Sequence, residues 1–167
     1  MFIAMSDEQA PVVEEYRSGW SNAPSAKAKN AVQRAVTALL DELAPERVVR
    51  RVEALPGLIE QHRTMERCIL QAETAALTVS WFAASGKDKD FGELHVLVWN
   101  GIVKHRGKQK RGKAATLVSE MILRPVEPAE EVFAWVADTG EKYSTEALAT
   151  KCAALLQAQV DAAASAR

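Results

Sequence analysis

From Ser25 onward, apolar residues recur every three or four positions (Ala28, Val32, Ala35, Val36, Leu39, Leu40, Leu43), while Lys27, Lys29, Gln33, Arg34 and Asp41 turn away. That period gives a helix one apolar stripe and predicts an amphipathic helix ending at Pro45. Pro45 then opens a short second helix, because a first-turn N–H has no partner to lose. Val48, Val49, Val52 and Leu55 form its inner side, and Pro56-Gly57 stops it.

Residues 58–75 admit two periods. Leu58, His62, Met65, Ile69 and Ala72 fit a helical stripe, whereas Arg67 to Ala72 fits a short strand running into a turn near Glu73-Thr74. The strand from Arg67 is the preferred reading. Beyond it the period is two. Leu77, Val79 and Trp81 alternate with Thr78, Ser80 and Phe82, and from Glu93 to Val103 Leu94, Val96 and Val98 alternate with His95, Leu97 and Trp99. Both faces of this second run are largely apolar, which marks a central strand.

A third run covers Ala114–Arg124. Pro125 and Pro128 are expected to bracket a turn, since proline cannot donate to a ladder, and Val132–Val136 forms a fifth strand ending at the Asp138-Thr139-Gly140 turn. Ser144 or Thr145 caps a last helix with Leu148, Cys152, Leu155, Leu156 and Gln159/Val160 as its stripe.

Short links between successive strands favour antiparallel pairing in a meander. The fold class is therefore α+β: an antiparallel sheet of about five strands, with two N-terminal helices and one C-terminal helix covering one face. Residues 1–24 read as a loosely ordered arm, 25–161 as a single domain and 162–167 as a frayed tail. The second sheet face also needs cover, from the arm, the second helix or another copy of the chain, so a homodimer is expected. Trp81, Trp99 and Trp135 are expected to line one side of the sheet as core. Their alternative is an aromatic pocket between sheet and helices around Trp81, His95 and Trp99.

Composition sets limits on partners. The 167 residues are 48% hydrophobic and 26% charged, enough for one self-sufficient globular core. A net charge of −1, from 21 basic and 22 acidic side chains, excludes attraction to a polyanion by total charge alone. Distribution changes this picture. Between positions 104 and 113 lie Lys104, His105, Arg106, Lys108, Lys110, Arg111 and Lys113 without a single acid, on an otherwise net-acidic chain. Such a hairpin can make sequence-blind phosphate contacts, or simply keep a sheet edge soluble. It contains no aromatic residue, and nucleic acid is the minority reading of its polyanion partner.

Other chemistry is thin. Gly107 to Lys113 has the spacing of a phosphate loop, but Ala114 replaces the hydroxyl residue and a strand follows instead of a helix. Arg47, Arg50, Arg51, Arg63 and Arg67 alternate with Glu42, Glu46, Glu53, Glu60 and Glu66, as in an ion-paired solvated face. His95 has Ser80, Ser119, Glu120 and Asp138 as conceivable partners for proton transfer, and Glu93, Glu120 and Asp138 could form a carboxylate pair; nothing in the spacing brings them together. Cys68 and Cys152 read as buried packing residues rather than a disulfide. No metal-ligand spacing occurs, and neither metal nor cofactor is expected.

The N-terminus lacks a basic segment followed by an apolar one, and no apolar run reaches about 18 residues, so a cytoplasmic protein without membrane contact is expected. The sequence thus points to a non-enzymatic binding or regulatory domain. Lys104, Arg106, Lys108, Lys110, Arg111 and Lys113 would contact an acidic protein surface or a polyanion. An enzyme or small-ligand carrier using the Trp81–His95–Trp99 pocket is the alternative, and no residue is assigned a catalytic role.

Overall fold

Ser25 sits in extended backbone and its Oγ accepts the Ala28 N–H at 3.1 Å, so helix α1 (Ala26–Glu42) begins where the apolar period begins. The computed structural model describes residues 25–55, 58–84, 91–103, 114–129 and 132–166. The expected arm (1–24), the Pro56-Gly57 stop and the whole Lys104–Lys113 segment lie outside the described residues. Helix α2 (Pro45–Arg51) carries Pro45 at its start, with Glu46 in its first turn and Arg50 and Arg51 in its last, charges that suit the two ends of the helix dipole.

Residues 60–72 are two strands rather than a helix. Strand β1 (Glu60–Arg63) pairs antiparallel with β2 (Arg67–Ala72), His62 lying opposite Ile69. The competing helical stripe is only apparent, since Leu58 and Met65 are 76% and 79% exposed and bury no common face. At Glu73-Thr74 the chain turns tightly, with Glu73 at φ 56° and Ala72 opposite Ala75. Strand β3 (Ala75–Ala83) follows, then β4 (Gly92–Asn100), β5 (Thr116–Ala129), β6 (Val132–Ala137) and β7 (Lys142–Tyr143). Gly92 (φ 141°) is confined to glycine, because a Cβ there would lie 2.3 Å from the Phe82 carbonyl oxygen.

All neighbours are antiparallel and strand order equals chain order, so the sheet is a seven-stranded meander. The α+β architecture is as expected. The two additional strands are β1 and β7, of four and two residues, too short for alternation to reveal.

The expected turn at Pro125 is corrected: β5 continues past it to Ala129, with Pro125 opposite Trp135. Pairing with β4 stops at Leu123, and beyond that point β5 has one neighbour among the described residues. Alternate residues there turn their N–H to the side away from β6, which no described strand pairs, and a proline is tolerated at such a position. The Asp138-Thr139-Gly140 turn is present, closed by the Gly140 N–H donating to the Ala137 carbonyl at 2.8 Å.

Helix α3 (Thr145–Ser165) is capped by Ser144, whose Oγ accepts the Ala147 N–H at 3.0 Å. It stays helical through the alanine-rich stretch expected to fray, in keeping with alanine's helix propensity. Leu148, Cys152 and Leu156 of α3 and Val32, Val36, Leu39 and Leu40 of α1 pack on Leu70, Leu77, Val79, Leu94, Val96 and Leu123, all on one sheet face. Trp81 and Trp135 share this core edge-to-face, ring centres 6.0 Å apart. Trp99 does not join them: it alternates with Val98 and belongs to the opposite face, which corrects the expectation that the three indoles line one side.

Arg51 joins the three helices. Its guanidinium donates to Glu42 of α1 at 2.7 Å, and to Glu146 and Thr150 of α3, both at 2.7 Å. The Glu146 hydrogen bond raises the arginine's pKa above its ordinary value, opposed by partial burial and reinforced by Glu42. Cys68 and Cys152 are free and fully buried; burial pushes their thiols up to about 11 and about 12, which makes them packing groups rather than nucleophiles. None of the described helices is long and apolar enough to cross a membrane.

Candidate functional site

The β4–β5 ladder holds to its end at Asn100 opposite Thr116, with a one-residue slip after Val98. Gly101, at φ 123°, leaves the strand where a Cβ would meet the Ala115 Cα at 3.0 Å. Its N–H donates to the Thr74 carbonyl at 2.6 Å. The Gln71 side chain ties down the same corner: Nε2 donates to the carbonyls of Glu73 (2.8 Å) and Gly101 (3.0 Å), and Oε1 accepts the Val103 N–H at 3.0 Å. The chain that carries the basic residues is therefore anchored, at its exit from β4, to the β2–β3 turn. Lys104, Arg106, Lys108, Lys110, Arg111 and Lys113 themselves lie outside the described residues.

Four arginines of the body are committed to internal carboxylates. Arg47 pairs with Glu42 at 2.7 Å, Arg63 with Asp41, and Arg51 with Glu42 and Glu146. Of the glutamates expected to pair with this basic group Glu42 does so, with both Arg47 and Arg51, while Asp41 and Glu146 supply the other partners. Arg124 bridges Glu93 and Asp138, the latter at 3.3 Å. Two of the three carboxylates considered for acid–base work are thus joined through a guanidinium.

His95 faces away from the helices. Its Nε2 lies 3.0 Å from Glu93 Oε1, and its ring meets Phe82 edge-on at 4.7 Å between centres. The hydrogen bond from His95, followed by Arg124, holds the Glu93 carboxyl below the usual carboxylate range. Ser80 is directly opposite His95 across the β3–β4 ladder, whereas Ser119 sits opposite Val98 on the helix side. Among the described residues, no group of three or more His, Cys, Asp or Glu is placed to hold a metal ion.

A cavity of about 400 Å³ near His95 is lined by Glu66, Arg67, Thr78, Ser80, Trp81, Phe82, His95, Leu97 and Trp99. It opens on the face opposite the helices rather than between sheet and helices. Trp81, His95 and Trp99 all line it, and the Trp81 ring meets Trp135 edge-to-face in the core. Trp99 Nε1–H donates to Thr78 Oγ1 at 3.0 Å, fixing the indole edge against the floor. Arg67, Phe82, Ser80 and Leu97 were absent from the sequence-derived pocket. The period-two alternation that places Thr78, Ser80 and Phe82 on one face was the available signal for all but Arg67, whose position follows from its register opposite Ser80.

No protein-family model, curated protein or solved structure matches the chain.

Proposed function

We propose that the chain is a non-enzymatic binding or regulatory domain that contacts an acidic protein surface or a polyanion through the connection between β4 and β5. Lys104, Arg106, Lys108, Lys110, Arg111 and Lys113 act there as point charges and, for the arginines, as forked donors. One observation carries the reading: ten acid-free positions holding six cations follow directly on a backbone pinned by Gln71 and Gly101. The body supports it by contrast, since Arg47, Arg51, Arg63 and Arg124 are already spent on internal carboxylates.

Fluorescence anisotropy with labelled single- and double-stranded oligonucleotides and labelled polyglutamate, each titrated at low and at physiological salt, tests the proposal. Single-stranded binding that engages all six cations should weaken with a log–log salt slope of about −4. Binding of polyglutamate alone identifies the acidic protein surface as the partner. Absence of binding to every probe at low salt overturns the proposal.

A cytoplasmic homodimer is the proposed form. Val126, 48% exposed on the sheet face away from the helices and outside the His95 cavity, favours self-association. Sedimentation velocity across a concentration series should show a dimer; a monomer at the highest concentration contradicts it.

A further inference from the structure

We propose that the cavity on the helix-free face of the sheet binds a small planar carboxylate, with Arg67 as the anchoring cation. This inference is independent of the polyanion reading and concerns a different part of the molecule.

The cavity's volume, about 400 Å³, is within the range of small-ligand sites. Its lining is of two kinds. Phe82 and Trp99 offer flat apolar faces, Leu97 an aliphatic one and His95 a flat polar ring, and the aromatic Phe82, near the end of β3, is more than half exposed. Such walls suit a ring stacked or edge-on among them. Arg67 supplies the opposite chemistry. Its Nε is buried without a hydrogen-bond partner, whereas its terminal nitrogens are neither buried unpaired nor bonded within the described residues, so they are the donors open to a ligand.

Arg51 Nε is also unpaired, but the terminal nitrogens of that guanidinium hold Glu42 and Glu146. Arg67 pairs with no carboxylate among the described residues. Glu66, its chain neighbour on the cavity lining, is exposed and forms no ion pair with it, and Glu93 on the same face is taken by His95 and Arg124. A guanidinium in that position matches a carboxylate bidentately. The Ser80 hydroxyl, directly across the ladder from Arg67, provides a further polar contact. The Thr78 oxygen already accepts the Trp99 N–H. The combination selects a ring bearing one carboxylate over an uncharged ring or a small inorganic anion.

The full chain is titrated with 2-naphthoate and, separately, with the uncharged 2-naphthalenemethanol. Indole N–H resonances are followed by heteronuclear NMR, with Trp99→Phe used to identify the Trp99 signal. Saturable naphthoate binding that shifts Trp99 is expected, with the alcohol weaker by about tenfold or more, the scale of one charged hydrogen-bonded contact. Arg67→Gln should abolish that preference, and Phe82→Ala, at an exposed position, should weaken both ligands while keeping the fold. Lys108, Lys110 and Arg111 changed together to Glu should leave naphthoate binding unaltered. The inference is overturned by equal affinity for acid and alcohol, or by no saturable binding up to millimolar ligand. Unchanged binding in Arg67→Gln also overturns it; should that variant not fold, unchanged binding in Phe82→Ala does so. Loss of naphthoate binding in the triple variant contradicts it too, by assigning the carboxylate to the basic connection.

Discussion

Replacing Trp135 by alanine is expected to lower the free energy of unfolding by about 3–5 kcal/mol, the range for removing a fully buried large aromatic side chain. Trp135 is completely inaccessible to solvent. It lies opposite Pro125 of β5 and Tyr143 of β7, and its ring meets Trp81 of β3 edge-on. Its indole N–H reaches Thr145 Oγ1, at the first residue of α3, at 3.4 Å. One side chain thus connects the late strands, a central strand and the start of the helix that covers them. Alanine would leave a cavity bounded by a proline and a second indole, groups that cannot collapse into it. For a domain whose whole stability is of order 5–15 kcal/mol, such a loss should appear as a large fall in the denaturant midpoint. Trp135→Phe, which keeps a ring but loses the N–H, should lose less. A loss below about 1 kcal/mol for Trp135→Ala would mean that this end of the core is not packed as described.

The architecture was legible wherever one face of an element is dry. In α1 and α3 the apolar stripe and the serine caps coincide with the helices, and in β3 and β4 strict alternation separates Leu77, Val79, Trp81, Leu94, Val96 and Val98 from the rest. Legibility failed where elements are too short for a period to emerge, as in β1 and β7. It also failed at Pro125, where the missing N–H falls on a stretch of β5 with a neighbour on one side.

The cavity was only half visible. His95 and Trp99 are two residues either side of Leu97 on one strand, so alternation alone places them on a common face. Arg67 enters through the register of β2 against β3, which has no local signature, and Arg51 finds Glu146 95 positions away. Contacts made between elements are set by packing, and the chain order does not encode their partners directly. The basic segment is the reverse case: its composition is unmistakable in the sequence, while the structure contributes the pinned corner from which it departs.

The second large effect concerns that segment. Lys108, Lys110 and Arg111 changed together to glutamate turn three cations into three anions in the middle of the connection. Each lost phosphate or carboxylate contact removes its share of the counterion-release term, and each new carboxylate repels the partner. Affinity for a polyanion at low salt should fall on the order of a hundredfold, and the single-strand log–log slope should flatten by about 2. Stability should hold within about 0.5 kcal/mol, because lysine and arginine are almost never fully buried unless paired. The direct measurement is anisotropy of the best-bound labelled probe against wild type and this triple variant at low salt. The account predicts salt-sensitive binding by wild type that collapses in the variant, with unfolding midpoints alike. Equal affinity of the two proteins would contradict it, by showing that the cationic connection is not the contact surface.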